Sequence, residues 1–343
     1  MAPEEKIVFN RVSKAYDGFE AVKDLSLRIM EGETLVLIGT SGCGKTTTLK
    51  MINRLIEPTK GTIEIDGHDV STYDPILLRR QIGYVIQPVG LFPHMTIGEN
   101  IAVVPELLKW PKGRVASRTD RLLEMVGLAP EEYRHRYPAE LSGGQRQRIG
   151  VARALAADPP VVLMDEPFGA LDPITRETIQ NEFTGLARKI EKTIVFVTHD
   201  IFEAVKIADR LAVMDQGRII QVGPPKEIVE RPRNDFVLDF LGRHHFQLAL
   251  LLTPVDEIMH PLDPHDLSDT HNQELPSLDI HATILDALNY YKHNKTDRII
   301  ISREDGQPQG ILTRDLVVSR VFAALEDHPE GHDKTTGDAR TGP

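Results

Sequence analysis

A chain of 343 residues with 41% hydrophobic side chains can bury the cores of two domains, and its formal charge of −11 is unevenly spread. Residues 243–343 hold 9 basic and 17 acidic side chains, net −8, which argues against nucleic acid as a partner and against simple adhesion to anionic lipid. No apolar run approaches the roughly 18 residues of a membrane span. The start at Met1–Lys6 lacks the basic and apolar regions of a secretory signal, and the single cysteine, Cys43, excludes an internal disulfide, so a soluble intracellular chain is expected.

Residues 7–29 alternate as two strands around the turn Asp17-Gly18, with Tyr16 just before it. Glu33–Ile38 reads as a buried strand and Thr47–Ile52 as the start of a helix. Between them stand Gly39, Thr40, Ser41, Gly42, Cys43, Gly44, Lys45 and Thr46, the spacing of a loop that wraps phosphates. Glycines let backbone N–H groups turn inward around an anion, and the positive end of the following helix adds to the attraction. Lys45 then reaches the β and γ phosphates, and the Thr46 hydroxyl can ligate Mg²⁺. Cys43, at a helix N-terminus beside Lys45, is expected to have a lowered thiol pKa.

Gly61–Gly67 reads as a hairpin strand closed by Asp-Gly, 77–81 as a short helix, and Ile82–Ile86 as a buried strand ending at Gln87, on the sheet edge where α/β ligands bind. About residues 88–158 the pattern turns helical, an inserted subdomain. It contains Leu141-Ser142-Gly143-Gly144-Gln145, in which Ser142 is a good N-cap and the glycines expose N–H groups at a helix start, a second anion-binding surface. Val161–Met164 is an apolar strand ending in Asp165, placed to hold Mg²⁺ through water, and Glu166, placed to deprotonate an attacking water. Thr193–Thr198 is the next strand, and His199 at its end is expected to contact the γ-phosphate. A hairpin around 215–217 and helices over 225–241 close the domain.

In this order the residues resemble the ATPase subunits of ABC transporters over about 240 residues. Tyr16 matches the adenine-stacking aromatic, Gly39–Thr46 with Thr47 the Walker A loop, and Gln87 the glutamine that serves both metal and water. Leu141–Gln145 matches the family signature, Asp165-Glu166 the Walker B pair, Asp172 the D-loop aspartate and His199 the switch histidine. The D-loop reads Gly-Ala-Leu-Asp where serine often stands first. The resemblance implies a P-loop NTPase of α/β class, with a mixed sheet core, an antiparallel β subdomain and the inserted helices, over residues 1–242. It implies ATP and Mg²⁺ as ligands. A head-to-tail second copy would lay Ser142, Gly143, Gly144 and Gln145 on the far side of the γ-phosphate.

The runs Met51–Thr59, Ile82–Gln87 and Leu91–Ile97 narrow the resemblance to importers of quaternary amines such as glycine betaine, carnitine and choline. ATPases of amino-acid and anion importers are closely similar, and a nucleotide-gated clamp outside transport is the alternative of another class. An importer implies permease subunits, a solute-binding protein, and a place on the cytoplasmic face of the inner membrane. After an expected linker at 243–254, residues 255–322 resemble a single CBS motif of α+β type. Thr313 and Asp315 stand two apart where that motif usually has three, which favours a dimerisation or regulatory role over ligand binding. Residues 323–343 are expected to be a disordered tail, the sequence from about Asp327 being polar, Gly-rich and Pro-rich.

Overall fold

The fold is described from a computed structural model at residues 4–86, 89–169, 176, 179–180, 183–185, 192–262, 276–303 and 305–326, without the side chains of Arg243 and Ala324. These fall into two compact units divided between Phe240 and Leu241.

In the first unit β1 (Glu5–Tyr16) and β2 (Phe19–Met30) form a long antiparallel hairpin whose turn places Asp17 and Gly18 at positive φ. β3 (Thr34–Gly39) is buried at all six positions, which suits a strand covered on both faces and explains its unbroken apolar run. It leads into α1 (Lys45–Ile52). β4 (Lys60–Ile65) and β5 (His68–Asp69) follow, then α2 (Pro75–Arg80), which starts on the Asp74 cap with proline at its first position. β6 (Ile82–Val85) comes next.

The inserted helices are α3 (Ile97–Leu107), α4 (Lys112–Met125), α5 (Pro130–Tyr133) and α6 (Gly143–Leu155). α3 begins at a capping box in which Thr96 and Glu99 satisfy each other's backbone N–H. Ile101, Leu122 and Ile149 are fully buried, one from each of the three long helices. Asn100, also fully buried, donates to the carbonyls of Phe92, Met95 and Thr96 and accepts from the Phe92 N–H, which fixes the entry loop.

β7 (Val161–Asp165), β8 (Thr193–Val197), β9 (Arg210–Asp215) and β10 (Arg218–Gly223) complete the unit, with a helix at Ile201–Ile207 and two more at Pro225–Glu230 and Asp235–Leu241. Two sheets result. One is antiparallel, in the order β2-β1-β4-β5; the other runs β10-β9-β3-β8-β7-β6, parallel except for β10. A single apolar cluster joins Ile7 and Phe9 of β1, Leu37 of β3, Leu49 of α1, Leu163 of β7 and Val195 of β8, so the phosphate-loop helix is seated in the core shared by both sheets. Because β3, β7 and β8 are parallel neighbours, with Leu37 and Asp165 both level with Val197, their carboxyl ends open on one edge.

The second unit carries a sheet ordered His260–Pro261, Pro308–Thr313, Arg298–Ser302, Ser277–Asp279, with helices at Ile284–His293 and Arg314–Glu326. Its core gathers Val255, Ile284, Ile299, Ile301, Leu312 and Val317. Two expectations need correction. Most of the stretch 243–254, read as linker, is a helix, His245–Leu252, in which Leu248 and Leu250 are buried and Leu250 joins that core. The final helix continues through Glu326, past the expected start of a tail at 323; residues 327–343 lie outside the described residues.

Candidate functional site

The loop between β3 and α1 is held by close backbone packing that only glycine permits. A Cβ on Gly39 would overlap the Met214 carbonyl oxygen of β9, and one on Gly44 would lie 2.5 Å from the Ala21 carbonyl oxygen of β2, with φ at 105° as well. Gly44 is the N-cap residue of α1 and no side chain caps that helix, so its first N–H groups are left without a side-chain acceptor. Thr40, Ser41, Gly42, Thr46 and Thr47 line the same open cleft, of about 860 Å³.

Lys45 is only 6% exposed and lies back against its own loop, donating to the carbonyls of Gly39 at 2.8 Å and Thr40 at 2.9 Å. An ammonium held by two neutral carbonyls lacks a counter-anion, and a phosphate in the cleft supplies one. Cys43 behaves differently from the sequence expectation. Its side chain is 2% exposed, and burial raises the thiol pKa; the nearby Lys45 ammonium, with Nζ 3.7 Å from Sγ, lowers it by less. The residue points into the core, so a helix N-terminus and a neighbouring cation do not make it a reactive thiolate.

The Thr46 hydroxyl donates to Asp165 Oδ1 at 2.8 Å, and Lys50 Nζ stands 3.8 Å from Asp165 Oδ2. Among the described residues no three His, Cys, Asp or Glu side chains cluster as a metal cage would require. A hydroxyl beside one carboxylate next to a phosphate loop is the donor set of magnesium held jointly with substrate phosphates, so these residues fit that ion. Glu166 follows in a left-handed conformation, φ 46°, with its N–H donating to the Val197 carbonyl of β8 at 3.0 Å. A non-glycine residue held there is the kind of local strain that clusters at working sites. His199 Nδ1 hydrogen-bonds Glu166 Oε2 at 3.2 Å, and both residues line the cleft.

At the other end of the cleft Tyr16 is 43% exposed, with Lys14 Nζ 4.9 Å from its ring centroid. Two aromatic residues there were not read from the sequence. Phe19 faces Tyr16 across the hairpin turn, a pairing that the Asp17-Gly18 signal could have disclosed. Phe240 comes from the helix Asp235–Leu241, where it stacks on Phe236 at 6.2 Å; nothing local in the sequence places that helix at the cleft.

Ser142, Gly143, Gly144 and Gln145 do not line this cleft. They open α6, where the Ser142 hydroxyl accepts from the Gln145 N–H at 3.2 Å and the Gln145 side chain accepts from the Ser142 N–H at 2.9 Å and donates to the Tyr133 hydroxyl at 3.0 Å. Ser142 and Gly143 are exposed. Gln87 and Asp172 lie outside the described residues.

A family profile described as ABC transporter matches residues 22–169. The choline transport ATP-binding protein OpuBA of Bacillus subtilis is 47% identical over 316 residues, 91% of this chain and 79% of its own length. The glycine betaine uptake system ATP-binding protein YehX of Escherichia coli is 46% identical over 314 residues, 91% of this chain and 99% of its own. Among solved structures, the dimeric post-hydrolysis state of the ATP-binding cassette MJ0796 bound to ADP and Pi matches with a TM-score of 0.57 and 34% identity, over 64% of this chain and 98% of that one.

Proposed function

The chain belongs to the ABC transporter family, and from that membership we propose that it is the ATP-hydrolysing subunit of an importer for a quaternary-amine osmoprotectant of the glycine betaine, carnitine or choline kind. One observation carries the reading. The Lys45 loop, the Thr46–Asp165 pair and the Glu166–His199 pair lie at one sheet edge and serve a single cleft with an aromatic end.

The chemistry follows from those positions. Tyr16 offers its ring to the adenine, and the loop N–H groups with Lys45 take the phosphates, Lys45 exchanging two carbonyl partners for anionic oxygens. Glu166 accepts the proton of the attacking water, and His199 orients Glu166 while its other ring nitrogen remains available to the γ-phosphate. Thr46, Asp165 and Gln87 are the residues that would hold magnesium, which would supply positive charge against that of the phosphates.

The cleft is open toward solvent and lacks the signature residues, which supports their supply by a second copy packed head to tail. ATP then bridges two subunits, and its cleavage removes the bridging charge. Among the described residues no helix is long and apolar enough to cross a membrane, so the spanning part of the importer belongs to permease subunits. A groove of about 320 Å³ between the sheet edge and the inserted helices, bordered by Arg79, Ile86, Phe92, Val104 and Arg153, suits a permease segment. The complete system includes a solute-binding protein, and this subunit sits peripherally on the cytoplasmic face of the inner membrane.

For the second unit we favour a regulatory, CBS-like dimerisation module. Val318, Phe322 and Leu325 are 39%, 61% and 45% exposed at helical spacing, an apolar stripe suited to the same helix of a second copy.

The test combines hydrolysis and uptake. Purified chain should release phosphate from MgATP, and cells lacking the subunit should regain uptake of labelled glycine betaine, choline or carnitine on receiving the wild-type chain but not Glu166→Gln. Hydrolysis with no effect on any of the three solutes would refute the substrate class.

A further inference from the structure

Beside the hydrolytic pair lies a carboxylate that the mechanism does not use. Glu203 is in the first turn of the helix Ile201–Ile207 and only 4% exposed. Asp200 caps that helix, its Oδ1 accepting from the N–H groups of Phe202 and Glu203 at 2.9 and 3.2 Å, so the residue before the cap, His199, is carried at the helix's entrance. Glu203 Oε1 accepts from Gln180 Nε2 at 3.1 Å, a bond spanning 23 residues of chain. A small space of about 10 Å³ is shared by Glu166, Arg176, Thr198, His199, Asp200 and Glu203. The Thr198 hydroxyl, which accepts from the Asp200 N–H at 3.0 Å, borders the same space as Glu203. The nearby wall is rigid: the rings of Phe168, Phe183 and Phe196 pack mutually at 5.7 to 6.1 Å.

We propose that Glu203 is a positioning residue for the Glu166–His199 pair, its carboxyl tying the His199 loop to the segment that carries Arg176 and Gln180, with its protonation state setting how firmly the loop is held. The inference rests on the hydrolytic reading of that pair. A hydrogen bond from a segment distant in sequence reaches one buried acid, in the first turn of the helix whose cap is the residue after His199. The charged groups around it oppose one another. Asp200 on its own helix disfavours a second negative charge, Arg176 favours one, and Glu166 and His199 face the same space. Burial dominates and pushes the carboxyl up to about 7, so it changes charge in the physiological range. When ionised it accepts from Gln180 and is attracted to the Arg176 charge; when protonated it gives up one acceptor site and that attraction.

The experiment uses the full chain, with steady-state hydrolysis of MgATP followed from roughly pH 5.5 to 8.5. Wild-type kcat should rise through a step near pH 7, while KM for ATP stays level because Lys45 and Thr46 are untouched. Glu203→Gln, which keeps the size and is fixed in the neutral state, should lose the step and stay near the low-pH rate, about threefold to tenfold below wild type at the alkaline end. Gln180→Met removes a bond that favours the ionised form, so the step should move to higher pH. This variant keeps the test decisive if Glu203→Gln folds poorly. Superimposable profiles for wild type and both variants, or a rise in KM matching the fall in kcat, would overturn the proposal. A wild-type chain that hydrolyses no ATP refutes the parent reading instead.

Discussion

Two helix starts in the first unit are built for the same kind of ligand in opposite ways. α1 opens on Gly44 in a left-handed conformation with no side-chain cap, deep beside a buried lysine. α6 opens on Ser142 with a capping box that satisfies the N–H groups of Gln145 and of Ser142 itself, on a surface where Ser142 and Gly143 are exposed. The first has unmet donors and needs an anion. The second is partly satisfied by its own side chains, which leaves the N–H groups of Gly143 and Gly144 for a ligand. That difference gives an order of events, since a nucleotide gains most at the uncapped end before a partner's capped end becomes worth engaging.

Removing the base while leaving both ends intact should have the largest effect. Glu166→Gln is expected to slow hydrolysis by about 10²- to 10⁴-fold, to leave ATP binding unchanged and to accumulate ATP-bridged dimers. Phosphate release and size-exclusion with MgATP check both parts, and monomers alone would show that the ends do not share a ligand. Lys45→Ala attacks the uncapped end directly. Nucleotide affinity should fall roughly 10- to 150-fold, as for loss of a charge-assisted bond, read by titration with a fluorescent ATP analogue. Ser142→Ala attacks the capped end. Monomer affinity for ATP should stay at the wild-type value while the variant loses about 1 kcal/mol from its cap, seen as a lower melting temperature, and hydrolysis falls through weaker pairing. Equal losses of ATP affinity in the two variants would erase the contrast between the ends. The smallest effect concerns shelter at the first end. Cys43 should alkylate about tenfold more slowly than a free thiol near neutral pH, with or without nucleotide, because burial keeps it protonated and out of reach.

Legibility in the sequence followed the range of the interactions. The phosphate loop, the strand ending in Asp165-Glu166 and the Ser142 cap are local patterns, where glycine, hydroxyl and carboxylate positions are set by neighbours a few residues away. The apolar runs at 34–39, 161–164 and 193–197 are legible as strands for the same reason, since a strand covered on both faces has no polar alternation to hide it. What was not legible depends on distant packing. Phe240 reaches the cleft only through the course of the final helix of its unit, and Glu203 matters only because Gln180 arrives from 23 residues away. Cys43 shows how local reasoning fails by sign: its sequence neighbours favour a thiolate, while the fold turns its sulfur inward. The leucine run at 248–252 reads as connector by position, yet it is a packed helix because a core that runs on to Val317 receives it.

The hydrogen bond from the Glu166 N–H to the Val197 carbonyl has a mechanical corollary. Val197 is the last residue of the strand that delivers Thr198 and His199, so the carboxylate and the imidazole ride on one strut instead of two. A spectroscopic label near His199 would therefore register movement of the strand end that also holds the Glu166 backbone.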